Sequence, residues 1–440
     1  MKTLNLGLLG LGTVGGGVAK IVGNNGYDID IRSGVNIRIK KALVRESDKE
    51  KACAEFEKTF VDTITTDVDD VLNDSDIDIV VEVMGGVDTA RQFVTRALNS
   101  GKHVVTANKD LLAVHGAELF ALAAEKGLDL GFEASVGGGI PIIAAMQQNL
   151  TANRIESVLG IINGTTNYIL SEMTSQRRDF HDVLTEAQRL GFAEADPTSD
   201  VGGLDAARKL AILSSLAFNC PVALDDVYVE GITKITPEDI AYASELNCVI
   251  KLLAIASRSC PADGRPEGVA VKVHPTLIPM SHPLASVDGV FNAVYIVGDA
   301  VGETMFYGRG AGSMPTGSAI VADIVQIARR MATSSTGKLF PQYYHDTPVL
   351  PLDQQKTGFY IRLKVMDEPR VFANLALFFA EADISFASII QKPRHNNRAE
   401  VVFITHPCLE AQMRKALTAL ESYPKLEKVY NLIRIENGEK

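Results

Sequence analysis

Cysteine is scarce in this chain. The 440 residues hold five, at Cys53, Cys220, Cys248, Cys260 and Cys408. They are odd in number and widely scattered, and none forms a CxxC or Cys/His cluster, which argues against a disulfide framework and a structural zinc site. Free thiols fit a reducing cytosol. Basic charge is in deficit: 43 Lys and Arg against 54 Asp and Glu give a net charge of −11. That balance opposes a sequence-independent nucleic-acid binder and a protein held to anionic lipid by basic patches. Long apolar runs are missing too. No charge-free stretch reaches the ~20 residues that a membrane span needs. Lys2 and the apolar residues after it imitate a signal peptide, but glycines at 7, 10, 12 and 15–17 break the run and no convincing cleavage site follows. The remaining composition, 46% hydrophobic and 22% charged, is that of an ordinary soluble protein long enough for about three domains.

An αβ rhythm fills the first third. Residues 4–9 read as a short buried strand, Gly10-Leu11-Gly12-Thr13-Val14-Gly15 follows at once, and a helix starts at Gly16. This is GxGxxG between a strand and a helix, the setting that makes it a dinucleotide signal. Gly10 makes the tight turn, Gly12 lets the backbone approach a pyrophosphate, and Gly15 allows close helix–strand packing. The helix N-terminus offers free N–H groups to the phosphates. Strands are expected at 37–44, 77–83, 103–106 and 128–134, and helices at 89–99 and 117–126. Such alternation implies a doubly wound parallel sheet with ligands at the C-terminal strand ends. Those ends are the glycine turn, Arg45, Gly85-Gly86 and Asn108-Lys109. Arg45 at the second strand end, with Lys49 and Lys51 near, leans towards NADP; Glu46 keeps NAD open.

From residue 134 the texture changes. Ser135 to Pro141 is a glycine-rich turn leading to a helical run over 142–150, then a strand over 154–162. Asn163-Gly164-Thr165-Thr166-Asn167 is dense in turn formers able to line a polar pocket. Glu194, Asp196, Asp200 and Asp205 crowd around Gly191 and Gly202-Gly203, and a helix is expected over 204–218. Asp205 and Lys209 then share a helix face. On spacing alone that is more often a surface ion pair. The chemical alternative is that hydride transfer to a carbonyl leaves an oxyanion, which an ammonium in a dry pocket can protonate. Glu194, Asp200 and Asp205 are candidates to hold that lysine in place or to bind a substrate ammonium. No histidine competes: His103 falls in a strand, and His274 and His282 sit in HP dipeptides expected in a loop. Strands at 249–256, 269–274, 291–297 and 303–307 imply a mostly open sheet, and 314–330 a long helix that returns to the nucleotide domain.

Residues 333–357 read as a linker by composition. Beyond them comes a strand at 359–366, a helix at 371–381, strands at 384–391 and 398–405, a helix at 409–421 and a strand at 427–434, a ferredoxin-like βαββαβ order. Tyr360, Arg362 and Lys364 alternate with Ile361, Leu363 and Val365, the pattern of a sheet with one face in water.

The motifs GLGTVGGG (10–17), GKHVVTANK (101–109), FEASVGGGIPII (132–143), INGTTNYIL (162–170), LGFAEADPTSDVGGLDAARKL (190–210), VHPTLIP (273–279) and GRGAGSMPTGSA (308–319) together resemble homoserine dehydrogenases. They cover most of residues 1–330 in the family's order. The resemblance implies reversible NAD(P)H-dependent reduction of L-aspartate 4-semialdehyde to L-homoserine, with NADP or NAD as cofactor. It implies that Lys209 is the proton donor, that Glu194 and Asp205 hold the amino acid with Asp200 alongside, and that Lys109 reaches both cofactor and reacting centre. Gly10, Gly12, Thr13, Val14, Gly15, Arg45, Gly85, Lys109 and Gly312 would meet the cofactor. A structural Na+ or K+ would be held by backbone oxygens at Glu133, Val136, Gly138 and Ile140. The expected domains are nucleotide-binding (1–132), substrate-binding and dimerising (133–313), a returning helix (314–332), the linker and a C-terminal module (358–440). The sheet of the second domain pairs between subunits in this family, so a homodimer at least is expected. The C-terminal module resembles an ACT domain, which binds amino-acid effectors. Where that family reads D-x-P-G this chain has Asp367-Glu368-Pro369-Arg370, so a purely dimerising role stands beside effector binding.

Two other functions fit parts of the chain. A semialdehyde dehydrogenase working through a thioester would need Cys220 or Cys248 beside a base. A non-catalytic cofactor sensor would keep the glycine turn and have no need of Lys209.

Overall fold

Six strands at the start of the chain build one parallel sheet: β1 (Thr3–Leu9), β2 (Asn36–Leu43), β3 (Thr63–Thr65), β4 (Ile79–Glu82), β5 (His103–Thr106) and β6 (Leu130–Gly131), in the order β3-β2-β1-β4-β5-β6. In the computed structural model, residues 2–259, 267–338, 341, 343, 347–393 and 397–436 are described. Cys260, residues 339–340, 342 and 344–346 of the expected linker, and residues 394–396 of the turn expected after the strand at 384–391 lie outside them. β4 and β5 are buried throughout, as strands covered on both faces must be. The order reverses between β1 and β4, which opens a crevice at their C-terminal ends.

The chain divides into two compact units. One comprises residues 1–155, 208–224 and 292–346, the other residues 156–207, 225–291 and 347–440. In the first, the helix Ser313–Ala332 lies against the helix Thr13–Asn24. A Cβ at Gly17 would come within 2.2 Å of the Ser313 carbonyl oxygen, and one at Gly317 within 2.9 Å of the Gly17 carbonyl carbon. Ile320, Val321, Ile324 and Ile327 then join the nucleotide-side core, each burial stabilising by about 1.5–3 kcal/mol.

Three expectations change in this unit. The strand expected over 128–134 shortens to Leu130–Gly131. Glu133 and Ser135 turn inward there to bond the backbone, drawing the chain into a 3-10 turn. The helix expected at 117–126 begins at Lys109, because the Asn108 side chain caps it by accepting from the Leu111 amide at 3.0 Å. The helical run over 142–150 divides into an α turn, Ile142–Ala144, and a π turn, Ala145–Asn149.

In the second unit, β7 (Ile155–Ile161), β8 (Cys248–Ser259), β9 (Gly268–Pro279), β10 (Lys356–Met366), β11 (Phe386–Pro393), β12 (Arg398–Thr405) and β13 (Leu426–Ile435) form a sheet in the order β7-β8-β9-β13-β10-β12-β11. β9 meets β13 in parallel through Thr276↔Arg434 and Leu277↔Ile435. His274 and Pro275 lie inside β9, paired with Leu253 and Leu252, and not in the expected loop. The long antiparallel partner holds the strand through the missing proline N–H.

The last four strands, with the helices Val371–Ala380 and Glu410–Glu421, follow the βαββαβ succession. Phe359, Ile361, Leu363 and Val365 pack on those helices. The opposite face is not in water as its pattern implied: Tyr360 and Arg362 are as buried as their neighbours. The helix Pro237–Glu245 covers them through Asp239, itself 0% exposed. Arg362 Nε lies 2.7 Å from Asp239 Oδ1. The Tyr360 hydroxyl donates to the same oxygen at 3.1 Å, and Asn431 Nδ2 donates to Asp239 Oδ2 at 3.0 Å. Burial, and then the Asp239 charge, push the Tyr360 phenol far up. Arg370 begins the helix Val371–Ala380 with φ 72°, so the turn keeps a left-handed backbone with a side chain on it, at a cost of about 1–2 kcal/mol.

Removing one partner of a buried pair strands the other charge. Asp239→Ala should therefore cost about 3–5 kcal/mol in urea unfolding. A loss under about 1 kcal/mol, the size of an exposed pair, would show that the network contributes little.

Candidate active site

A groove of about 1240 Å3 opens at the crevice between β1 and β4. Gly10, Gly12, Thr13, Arg45, Gly85 and Ser313 are among its lining residues. The three glycines of the turn act differently. Gly10 has φ +105°, with the Val83 carbonyl oxygen 3.0 Å from where a Cβ would stand. At Gly15 a Cβ would lie 2.1 Å from the Gly10 carbonyl oxygen, so helix and turn touch through backbone alone. At Gly12 a Cβ would meet nothing within 4 Å; the bare backbone faces open space. The helix Thr13–Asn24 has no side-chain N-cap, so its first amides remain for a ligand.

Arg45 projects into solvent with its side chain 88% exposed, and Asp48 lies 3.2 Å from its Nε. Glu46, Asp48 and Lys51 also line this end. Val14 and Gly15 lie beneath the turn: Val14 packs on the core and Gly15 on Gly10. Gly312, at φ +124°, precedes Ser313, whose hydroxyl donates to the Thr13 carbonyl at 2.6 Å. That contact brings a segment some 300 residues away in sequence to the turn.

Glu82 was not singled out from sequence. It ends β4 fully buried and accepts from the Met84 amide at 2.9 Å and the Thr106 hydroxyl at 2.6 Å. Burial raises its carboxyl, and these donors oppose the rise. Asn108 Nδ2 donates to the Gly86 carbonyl at 2.6 Å, fixing the loop that carries Gly85. Lys109 is the first residue of the helix that Asn108 caps. The next residue, Asp110, pairs with Arg208 at 2.8 Å, so both lysines singled out from sequence flank one ion pair: Lys109 precedes Asp110, and Lys209 follows Arg208.

Glu133, Val136, Gly138 and Ile140 are all buried. The Glu133 carboxylate accepts from the Ile143 and Ala144 amides at 2.8 and 2.7 Å, and burial raises its carboxyl against those bonds. Asp323 accepts from the Glu133 amide at 2.9 Å. Burial first, and the Glu133 charge second, push Asp323 up to about 8. Gly137 and Gly138 are both left-handed, and a Cβ at Gly138 would lie 2.4 Å from the Gly310 carbonyl oxygen. No group of three or more His, Cys, Asp or Glu side chains suited to a metal occurs among the described residues.

The acidic constellation gathers in the second unit. Asn163, expected in an irregular turn, caps the helix Gly164–Gln176. Its Nδ2 donates to Asp200 Oδ1 at 2.7 Å and to Asp205 Oδ2 at 2.9 Å. Gly203, with φ +87°, precedes the helix Leu204–Phe218, which carries Asp205 and Lys209 one turn apart on one face. Glu194 is exposed on the preceding loop, where Gln188 Nε2 donates to its backbone carbonyl at 3.1 Å.

A doubly wound sheet with a glycine turn and an open groove at its switch point defines a dinucleotide-binding protein. Residues 10–133 match the family model "Homoserine dehydrogenase, NAD binding domain", and residues 141–325 the model "Homoserine dehydrogenase". The homoserine dehydrogenase of Bacillus subtilis is 46% identical over 442 residues, covering 100% of this chain and 99% of its own. The crystal structure of a homoserine dehydrogenase from Thiobacillus denitrificans has a TM-score of 0.93 at 45% identity, covering 99% of both chains. A hyperthermophilic archaeal homoserine dehydrogenase in complex with NADPH is 27% identical with a TM-score of 0.61, covering 74% of this chain and 97% of that one. The chain belongs to the homoserine dehydrogenase family.

Gly12→Ala fits the free protein and should leave the melting temperature nearly unchanged while weakening nicotinamide-nucleotide binding about tenfold or more. Gly15→Ala should lower the melting temperature, because the Gly10 carbonyl must move. Equal effects of the two changes in a thermal melt and a cofactor titration would contradict this division.

Proposed function

We propose that the chain catalyses the reversible reduction of L-aspartate 4-semialdehyde to L-homoserine with Lys209 as proton donor. The observation that carries the proposal is the fixing of Asp200 and Asp205 on one amide, with Lys209 a turn beyond Asp205 on the same helix. The groove's glycine cradle fits a dinucleotide, and the bound nicotinamide supplies or accepts the hydride. As hydride reaches the aldehyde carbon, its oxygen becomes an alkoxide and Lys209 gives it a proton. In the oxidative direction the same amine takes the hydroxyl proton. Lys109, whose helix start is held by Asn108, steadies the reacting oxygen and the cofactor. Asp205 and Asp200 take the substrate ammonium, and Glu194, on its exposed loop, completes that contact. A thioester route fits poorly: Cys220 is buried, and burial raises the Cys248 thiol, which disfavours a thiolate.

Arg45 and Lys51 at the far end of the groove favour the 2′-phosphate of NADP, with Glu46 as the competing NAD feature. Backbone oxygens are hard donors that suit Na+ or K+, and the glycine turn at 137–138 supports a monovalent cation at Glu133, Val136, Gly138 and Ile140. The strand Gly302–Arg309 exposes Met305 and Tyr307 on one face, which supports pairing with a second copy. The C-terminal βαββαβ succession supports an ACT-like module. Its Arg370 retains the left-handed backbone of a glycine turn and adds an exposed cation, so an effector such as threonine would meet a positive charge there.

Homoserine-dependent reduction of NADP and NAD, run in sodium or potassium with and without threonine, reads these assignments together. Turnover faster with NADP and dependent on the alkali cation is expected; Arg45→Ala should erode the NADP preference about tenfold. Turnover indifferent to both would remove the Arg45 and cation assignments. Lys209→Ala should abolish turnover while NADPH binding persists; turnover near the wild-type rate would eliminate Lys209 as donor.

A further inference from the structure

We propose that Asn163 is a positioning residue for the substrate-binding acids, holding Asp200 and Asp205 together as one receptor for an ammonium group. The inference rests on the function proposed above and deepens it by assigning a task to the amide that the two acids share. Asn163 is 5% exposed and every polar position on its amide is occupied. Its Oδ1 accepts from the Thr166 amide at 2.8 Å and from the Thr166 hydroxyl at 2.9 Å. Those bonds face the oxygen to the helix N-terminus, so the nitrogen must face the acids. One Nδ2 proton goes to Asp200 at 2.7 Å and the other to Asp205 at 2.9 Å. The two acids come from different elements: Asp200 lies in the helical turn Thr198–Val201, and Asp205 in the helix Leu204–Phe218.

Two carboxylates this close repel, and more strongly as water is withdrawn. A bridging amide offsets that repulsion without cancelling either charge. Lys or Arg in its place would neutralise the negative field that an α-ammonium needs, whereas a hydroxyl has only one proton to give. The neutral two-proton donor tethers both acids to one point without adding a charge that competes with the ligand, and so favours an amino-acid substrate.

Two isosteric or cap-preserving variants test this. Asn163→Ser retains an N-cap oxygen for Thr166 and loses the bridge. Asn163→Asp retains size and cap, loses both donors, and adds a third carboxylate. In each, the KM for homoserine should rise about 10- to 100-fold while the KM for NADP stays within about twofold. Homoserine KM values within about twofold of wild type in both variants would overturn the assignment. So would a parallel rise in both KM values with a lowered melting temperature, which would reduce Asn163 to a helix cap. Wild-type protein that fails to oxidise homoserine would instead refute the functional reading beneath it.

Discussion

At 2.1 Å from the Gly10 carbonyl oxygen there is room for a hydrogen on residue 15 and for nothing larger. That contact sets how closely the helix Thr13–Asn24 rides over β1, and much of the nucleotide unit follows from it. With the helix so low, its outer face can take Gly317 of the helix Ser313–Ala332 against Gly17. The late helix then delivers Ser313 to the Thr13 carbonyl and its apolar stripe to the core. The groove exists because one glycine of the turn is crowded and another is not.

The second unit is organised by buried polar groups. Arg434, near the end of β13, lies between Glu410 of its own module and Glu230, the latter 2.9 Å away, with the Tyr228 ring 4.8 Å from its guanidinium. The residue after Glu230 is Gly231, where a Cβ would lie 2.2 Å from the Val201 carbonyl oxygen. The Ile232 amide donates to that same carbonyl at 2.9 Å. One short segment thus touches both the last strand of the chain and the turn that precedes Asp205. Such groups specify one arrangement because leaving any of them unpaired costs more than any of them contributes alone.

What the sequence disclosed divides along physical lines. The glycine turn was legible because its demands are local: strand, tight turn and helix are contiguous. The helix Leu204–Phe218 was legible from its apolar period. The strand expected over 128–134 was not, because its length is decided by side chains that bond backbone beyond it. The buried face of Tyr360 and Arg362 read as solvent-facing because alternation reports polarity, and only a distant helix decides what covers a polar face. Asn163 read as a turn former because its partners lie 37 and 42 residues on. Lys209 stood out by residue type, yet its role came from family likeness, since an i,i+4 acid–lysine pair is ordinary on any helix.

The lock around Asp239 has a consequence for how such chains are cut and recombined. Arg362, Tyr360 and Asn431 all come from the C-terminal strands, and Asp239 comes from a helix more than a hundred residues earlier. Trimming the chain ahead of β10 would leave Asp239 with its Thr236 cap alone, on a surface built to be dry. The C-terminal strands are therefore not a cassette to be clipped off or grafted elsewhere unchanged. A shortened descendant would have to make the uncovered apolar face around position 239 polar, and a grafted module would keep Glu400 as the acid beside Arg362 but lose Asp239.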